Sequence, residues 1–173
     1  MMKRVLVIGC PGSGKSTFAK ALHKTTGLPL FHLDLMYWNA DKSTVEKSVF
    51  LDRLSKALQR DEWIIDGNYH STMERRIAAC DTVIFLDYPL EICLDGIKAR
   101  KGKSRSDMPW VEDGEDDAEF MAFIKNYRTQ NRPHVMELLR QYSHKNIVIF
   151  SDRTQAEAFL KGDTARRHLP AKR

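Results

Sequence analysis

The sequence predicts a three-layer α/β protein in which helices cover both faces of a five-stranded parallel sheet, with a short lid. Three observations predict it. Apolar runs of strand length recur at RVLVIG, LPLFHLD, EWIIDG, DTVIFLD and NIVIFS, separated by segments long enough for helices. The runs are rich in Val and Ile and apolar on both faces, as strands buried in a parallel sheet must be. The first run also leads directly into GCPGSGKST, residues 9–17.

That stretch contains G-x-x-x-x-G-K-[ST] as Gly9, Gly14, Lys15 and Ser16. Glycines let the backbone wrap around phosphates, and the loop amides and helix N-terminus then face the anion. Gly9, Gly12, Ser13, Gly14, Lys15, Ser16 and Thr17 are therefore the candidate nucleotide contacts. Lys15 is placed to reach the β and γ oxygens, and Ser16 to offer its hydroxyl to Mg²⁺. The following helix carries Phe18, Ala21 and Leu22 at helical spacing and stops at Gly27.

The remaining elements follow in order. Capping boxes at Ser43 and Glu46, Ser71 and Glu74, and Thr154 and Glu157 each predict a helix start. The first of these helices shows Val49, Phe50, Leu54 and Leu58 on one stripe. Residues 101–117 break the alternation: they are polar, contain Gly102, Pro109 and Gly114, and switch from basic to acidic, so they read as a mobile loop. Residues 118–142 form a long helical pattern interrupted at Pro133, which begins a new helix or kinks the old one.

At 173 residues the chain has room for one well-buried core, so a single domain spanning 1–173 is expected. Hydrophobic content of 42% with 29% charged residues is that of a soluble globular protein, and no apolar run approaches a membrane span. The basic, apolar N-terminus is explained by the first strand, so no export is implied. Cys10, Cys80 and Cys93 are widely spaced and suggest neither a disulfide framework nor a zinc site, which fits a cytoplasmic location. Within the loop, Cys10 is either activated by amides and Lys15 or simply a small tolerated side chain.

The net charge of +5 favours anionic partners, and part of the excess sits in the tail ARRHLPAKR. The tail is either a solubilising end or a contact for nucleic acid. Monomer and dimer are both compatible with the sequence. A GTP switch is disfavoured by the lack of a suitably placed Asp-x-x-Gly element and of an Asn-Lys-x-Asp guanine reader, and ATP-driven motors need more chain than this. A kinase must exclude water from the bound γ-phosphoryl group, and the loop with Arg105 is placed to be the lid that does so. Arg105, with Arg128 and Arg132 at i and i+4, can neutralise transferring phosphoryl oxygens or merely form surface ion pairs. Strands end in Asp34, Asp66 and Asp87. Asp34 is the candidate to contact an acceptor hydroxyl and Asp66 the candidate for Mg²⁺, each weighed against a plain strand-end cap.

GCPGSGKST, WIIDGNY and VIFLDYPLEICLDGIKAR resemble the adenylate-kinase-like P-loop kinases over most of the chain. The resemblance implies sheet order 2-3-1-4-5, ATP and Mg²⁺, and an acceptor-side region near 35–80. HLDLMYW, EWIIDGNYHSTMERRIAACDTVIFLD and YRTQNRP are similar to the bacterial DNA topology modulation (FlaR-type) group. Arg100 matches the family's phosphate-facing position, but Gly96 stands where an adenine-stacking Arg is common, leaving Arg153 after strand five as a candidate base contact.

Tyr37 and His70 occupy the two places where adenylate kinases grip the second substrate's phosphate with Arg. The implied acceptor is therefore not a nucleoside monophosphate. Tyr37, Trp38 and Tyr69 with Asp34 suit a neutral, hydroxyl-bearing molecule, as in shikimate- and gluconate-kinase-like relatives, or are packing residues. Arg75 and Arg76 either serve an anionic group or line a solvated helix. The reading from another class is a nucleotide-gated module that acts on nucleic acid without transferase activity.

Overall fold

The computed structural model of the chain describes residues 2–113 and 117–162, so the basic tail lies outside the described residues. The sheet is parallel and five-stranded, in the order β2-β3-β1-β4-β5, as the resemblance implies. It is formed by β1 (Arg4–Gly9), β2 (Leu30–His32), β3 (Trp63–Asp66), β4 (Thr82–Leu86) and β5 (Asn146–Phe150). β3 and β4 are buried along their whole length, which is why these runs show no polar alternation. Two apolar clusters lie on either side, one containing Val5, Val7 and Ile84, the other Leu6, Ile8 and Phe85. Successive residues of one strand thus serve opposite faces.

Helix α1 (Lys15–Thr26) starts at Gly14 and ends at Gly27, whose φ of 75° lets its amide donate to His23 O at 2.8 Å. It buries Phe18, Ala19 and Leu22, so Ala19 takes the core position expected of Ala21. The second strand is shorter than its apolar run, and Asp34 lies inside a one-turn helix, α2 (Leu33–Tyr37), rather than at the strand end.

The three predicted helix starts are all displaced. Helix α3 (Lys47–Leu58) begins after Glu46, because Ser43 is committed to a turn with Asn39 and Asp41 and Thr44 bridges to Trp38. Of its predicted stripe Phe50 and Leu54 are buried, Ala57 joins them, and Val49 is exposed. Helix α4 (His70–Ala79) starts after Tyr69, one residue ahead of Ser71. The last helix, α8 (Arg153–Leu160), is capped by Asp152, whose side chain accepts from Gln155 N at 2.9 Å, not by Thr154.

Helix α5 (Leu90–Arg100) leads into the irregular segment 101–113. Beyond it, α6 (Ala118–Asn126) passes through a π turn (Tyr127–Asn131) into α7 (Arg132–Gln141). Pro133 lies in the first turn of α7, directly after the π turn, so the helical run continues through it in altered geometry. No helix among the described residues is long and apolar enough to cross a membrane.

Candidate active site

Two adjoining cavities open at the carboxyl ends of the strands, where parallel sheets present their ligand crevices. The larger, of about 760 Å³, lies against the loop between β1 and α1. Gly12, Ser13, Gly14, Lys15, Ser16 and Thr17 line it, while Gly9 does not. Gly9 shapes the loop from behind, since a Cβ there would meet Leu86 O at 2.7 Å. Gly12 and Gly14 have φ of 82° and 90°, a region side-chain-bearing residues rarely adopt. Lys15 Nζ donates to Cys10 O at 3.2 Å, and desolvation lowers its pKa, so nucleotide phosphates are its natural charge partner. Cys10 is held in the opposite sense: its hydrogen bond with Cys93, then burial, push its pKa up, so it is a packing residue and not an activated thiol.

Gly12 and Gly96 interlock. A Cβ on Gly96 would lie 1.9 Å from Gly12 O, and one on Gly12 would lie 2.0 Å from Cys93 O. An adenine-stacking Arg is sterically impossible at Gly96 because α5 packs backbone against backbone on the phosphate loop. The far wall of this cavity is formed instead by Tyr88, Arg153, Ala156 and Leu160, which brings the predicted Arg153 to the cleft.

Asp66 is buried at the end of β3. Its Oδ1 is 2.8 Å from His32 Nδ1, and its Oδ2 is buried with no partner. An orphaned carboxylate oxygen lining the same cavity as the Ser16 hydroxyl fits Mg²⁺, which takes one or two protein oxygens and completes its shell with phosphates and water. No group of three or more His, Cys, Asp or Glu capable of holding a metal occurs among the described residues. Asp87 is otherwise engaged: Arg132 grips it through Nε at 2.8 Å and Nη2 at 2.6 Å, and Arg128 Nη1 is 3.7 Å away. Arg128 and Arg132 therefore fasten the π turn and α7 to the end of β4, and neither lines the two cavities.

The predicted loop arginines do reach the cleft. Arg100 and Arg105 line the larger cavity, where Arg100 Nε is 2.7 Å from Glu112 Oε2 and Arg105 Nη1 is 3.2 Å from Asp107 Oδ2. Asp107, buried and missed by the sequence reading, also receives Lys20 Nζ at 3.1 Å. Burial would raise its pKa, but Arg105 and Lys20 outweigh this and hold it below the ordinary carboxylate range. The segment 101–113 is thus pinned over the phosphate loop by charge.

The second cavity, of about 540 Å³, shares Lys15, Asp34, Gly67 and Arg100 with the first. At the junction Asp34 accepts a 2.7 Å hydrogen bond from the Tyr69 hydroxyl, and desolvation raises its pKa. Trp38 and Tyr69 line this cavity, as expected, but Tyr37 does not. Tyr37 packs edge-on against Trp38, Phe50 and Tyr69. Trp110, Phe120 and Phe123 complete the wall and were not singled out in the sequence. A lone Trp in an otherwise polar loop was their one signal.

Arg76 is neither an anion site nor a solvated helix residue. It is fully buried on α4 and donates to the backbone oxygens of Gly67 (2.8 Å), Asn68 and Tyr69 (3.0 Å). Desolvation lowers its pKa to about 9, so it remains a cation at neutral pH. It draws three carbonyls of one loop inward, fixing Tyr69 at φ 33° and placing Asn68 Oδ1 to accept from Gly9 N at 3.2 Å. Arg75, its neighbour, is an exposed partner of Ser55.

Comparisons with known proteins agree with this architecture. The adenylate kinase of Thermotoga maritima is 28% identical over 110 residues, 60% of this chain and 49% of that protein, so the chain spans about half the length of that relative. Shikimate kinase from Acinetobacter baumannii, solved with shikimate, superposes with a TM-score of 0.62 at 14% identity over 94% of this chain and 90% of that one. Shikimate kinase from Bacteroides thetaiotaomicron gives 0.57 at 19% over 94% and 96%, and a gluconokinase from Sinorhizobium meliloti gives 0.55 at 12% over 93% and 89%. At these identities the structures share the fold. The family model "ATPase family associated with various cellular activities (AAA)" matches residues 5–153, nearly the whole sheet and its phosphate loop, and the chain belongs to that family of P-loop ATPases.

Proposed function

We propose that the protein is a small-molecule kinase that transfers the γ-phosphoryl group of ATP to a hydroxyl of an acceptor lacking a phosphate. The observation that carries this reading is the junction: two cavities meet at Lys15, Asp34, Gly67 and Arg100, a cation pair and a carboxylate where a phosphoryl group would cross. Triphosphate binds along the loop amides, with Lys15 and Arg100 on the transferring oxygens. Asp34 holds the acceptor hydroxyl and takes its proton as the oxygen–Pγ bond forms and the Pγ–O bond to the β-phosphate breaks, releasing ADP. Burial raises its pKa and makes it a better base than an ordinary carboxylate. Ser16 and Asp66 would hold Mg²⁺, which neutralises charge on the β and γ oxygens when bound.

In this reading the whole chain works as one unit, with residues 35–80 on the acceptor side and 101–117 as the lid. Arg105 belongs to the lid's closure over the phosphates. Arg128 and Arg132 act indirectly through Asp87. The resemblance to the FlaR-type topology modulation group carries no mechanism, and a cytoplasmic site of action rests on the three free cysteines.

The test is ADP release from Mg-ATP by the wild type and Lys15→Ala, alone and against nucleosides, nucleoside monophosphates and hydroxylated metabolites. Stimulation by one class, lost in the variant, is the expected result. No stimulation by any compound, with tight ATP binding and nucleotide-dependent, salt-sensitive affinity for nucleic acid, would overturn it in favour of a binding module.

A further inference from the structure

Asp34 needs only a hydroxyl, yet the cavity beside it is built for something larger. Five of its eighteen lining residues are aromatic, Trp38, Tyr69, Trp110, Phe120 and Phe123, against 9% of the chain as a whole. They come from separate segments: the end of α2, the loop after β3, the segment 101–113, and α6. Phe120, Phe123 and Tyr69 also pack against the apolar clusters, but none of the five is fully buried, so each keeps surface on the cavity. Trp38 and Trp110 meet edge-to-face with centroids 5.8 Å apart, which joins the 101–113 segment to the acceptor side. The indole N–H of Trp110 is buried without a hydrogen-bond partner, a donor left for an acceptor atom that the protein itself does not provide.

Charge points the same way. Lys42 lies 3.5 Å from Asp113 and 5.3 Å from the Trp110 ring centroid, and Arg100 is held by Glu112 at 2.7 Å. Lys42 already has a carboxylate beside it, and the kinase reading commits Lys15 and Arg100 to the phosphates of ATP, so a phosphate or acid group on the acceptor would compete for cations already in use. A polyol without a flat ring would make little use of this aromatic wall or of the Trp110 N–H.

We infer that the acceptor is an uncharged, hydroxyl-bearing compound with a flat ring, of the nucleoside class, its ring against the Trp110 side of the cavity and a sugar hydroxyl at Asp34. This rests on the kinase reading for the transfer itself: the hydroxyl oxygen bonds to Pγ, the Pγ–O–Pβ bridge breaks to release ADP, and the hydroxyl proton passes to Asp34. It does not rest on that reading for the binding of the ring.

The experiment is calorimetric titration of the full chain, with the nucleotide cavity saturated by a non-hydrolysable ATP analogue and Mg²⁺, using adenosine, thymidine, AMP and myo-inositol as probes. One or both nucleosides are expected to bind saturably, at least about tenfold tighter than AMP or inositol, and Trp110→Ala is expected to weaken that binding roughly tenfold, as loss of one base-stacking partner does. Trp110→Phe, which keeps a ring but loses the indole N–H, should fall between wild type and Trp110→Ala, and continued binding of the analogue shows that both variants are folded. Equal or tighter binding of inositol or AMP, or nucleoside binding indifferent to Trp110→Ala, overturns the assignment. The same samples assayed with ATP separate the two readings. Phosphorylation of inositol without nucleoside binding overturns the ring class and leaves a kinase, whereas Trp110-dependent nucleoside binding without transfer to any probe keeps the pocket assignment and overturns the kinase.

Discussion

The two cavities are built on different principles. The nucleotide side is anchored on one local stretch: seven consecutive residues, Gly12 to Phe18, line it, and two of them need backbone angles suited to glycine, with more distant side chains completing the wall. The acceptor side is made of side chains delivered by distant parts of the chain, from Pro11 to Phe123. A site anchored on one stretch constrains sequence locally and leaves a motif; a site made of distant side chains constrains only their meeting in space. Changes on the nucleotide side should therefore abolish function broadly, while changes on the acceptor side should alter which molecule is used.

Lys15→Ala gives the largest effect. Acceptor-stimulated ADP formation, measured at saturating ATP and acceptor, should fall by about 10²–10³, the typical loss for one preorganised donor at a developing charge. Asp34→Asn follows, with a fall of about 10² or more expected from removing a general base. Wild-type turnover should rise with pH as the Asp34 carboxyl ionises. Because burial raises its pKa, that limb lies above the ordinary carboxylate range and disappears in the variant; a pH–rate profile checks both.

Arg76→Met sharpens the comparison in a different way, since it strips three carbonyls of their donor without touching either ligand. These acceptors are only part-buried, so each costs near the low end of about 1–3 kcal/mol, and denaturant unfolding should show a loss of about 2–3 kcal/mol. The KM for the acceptor should rise further than that for ATP, because Tyr69 is the residue the loop positions. Arg128→Ala should do least: its side chain is 46% exposed and 3.7 Å from a carboxylate already gripped by Arg132. Stability within about 0.5 kcal/mol of wild type is expected for such a surface change, with unaltered ADP formation.

The same division governs how far the sequence could be read. The strand runs, the phosphate loop and the stop at Gly27 were legible because each is fixed by local backbone needs. The capping boxes were not, because Ser43 and Thr154 fit the pattern while neighbouring groups won the competition: a turn around Asn39 and Asp41 in one case, the Asp152 cap in the other. Arg75 and Arg76 look equivalent in the sequence, yet about 100° of helical rotation separates solvent from core. Asp34 and Asp66 were found as strand-end acids, although α2 moved the former into a helix. Trp110, Phe120 and Phe123 were missed because nothing local marks rings that converge only in three dimensions.

The interlocked glycines have a kinetic consequence. Helix α5 touches the phosphate loop at Gly96 and runs one turn further to Arg100, where the 101–113 segment begins. The helix bears on the loop at its middle and carries the 101–113 segment at its C-terminus, so a nucleotide that shifts the loop should shift the cover with it. The two substrates should then load in sequence, ATP before acceptor, and isotope trapping should capture bound ATP but not bound acceptor.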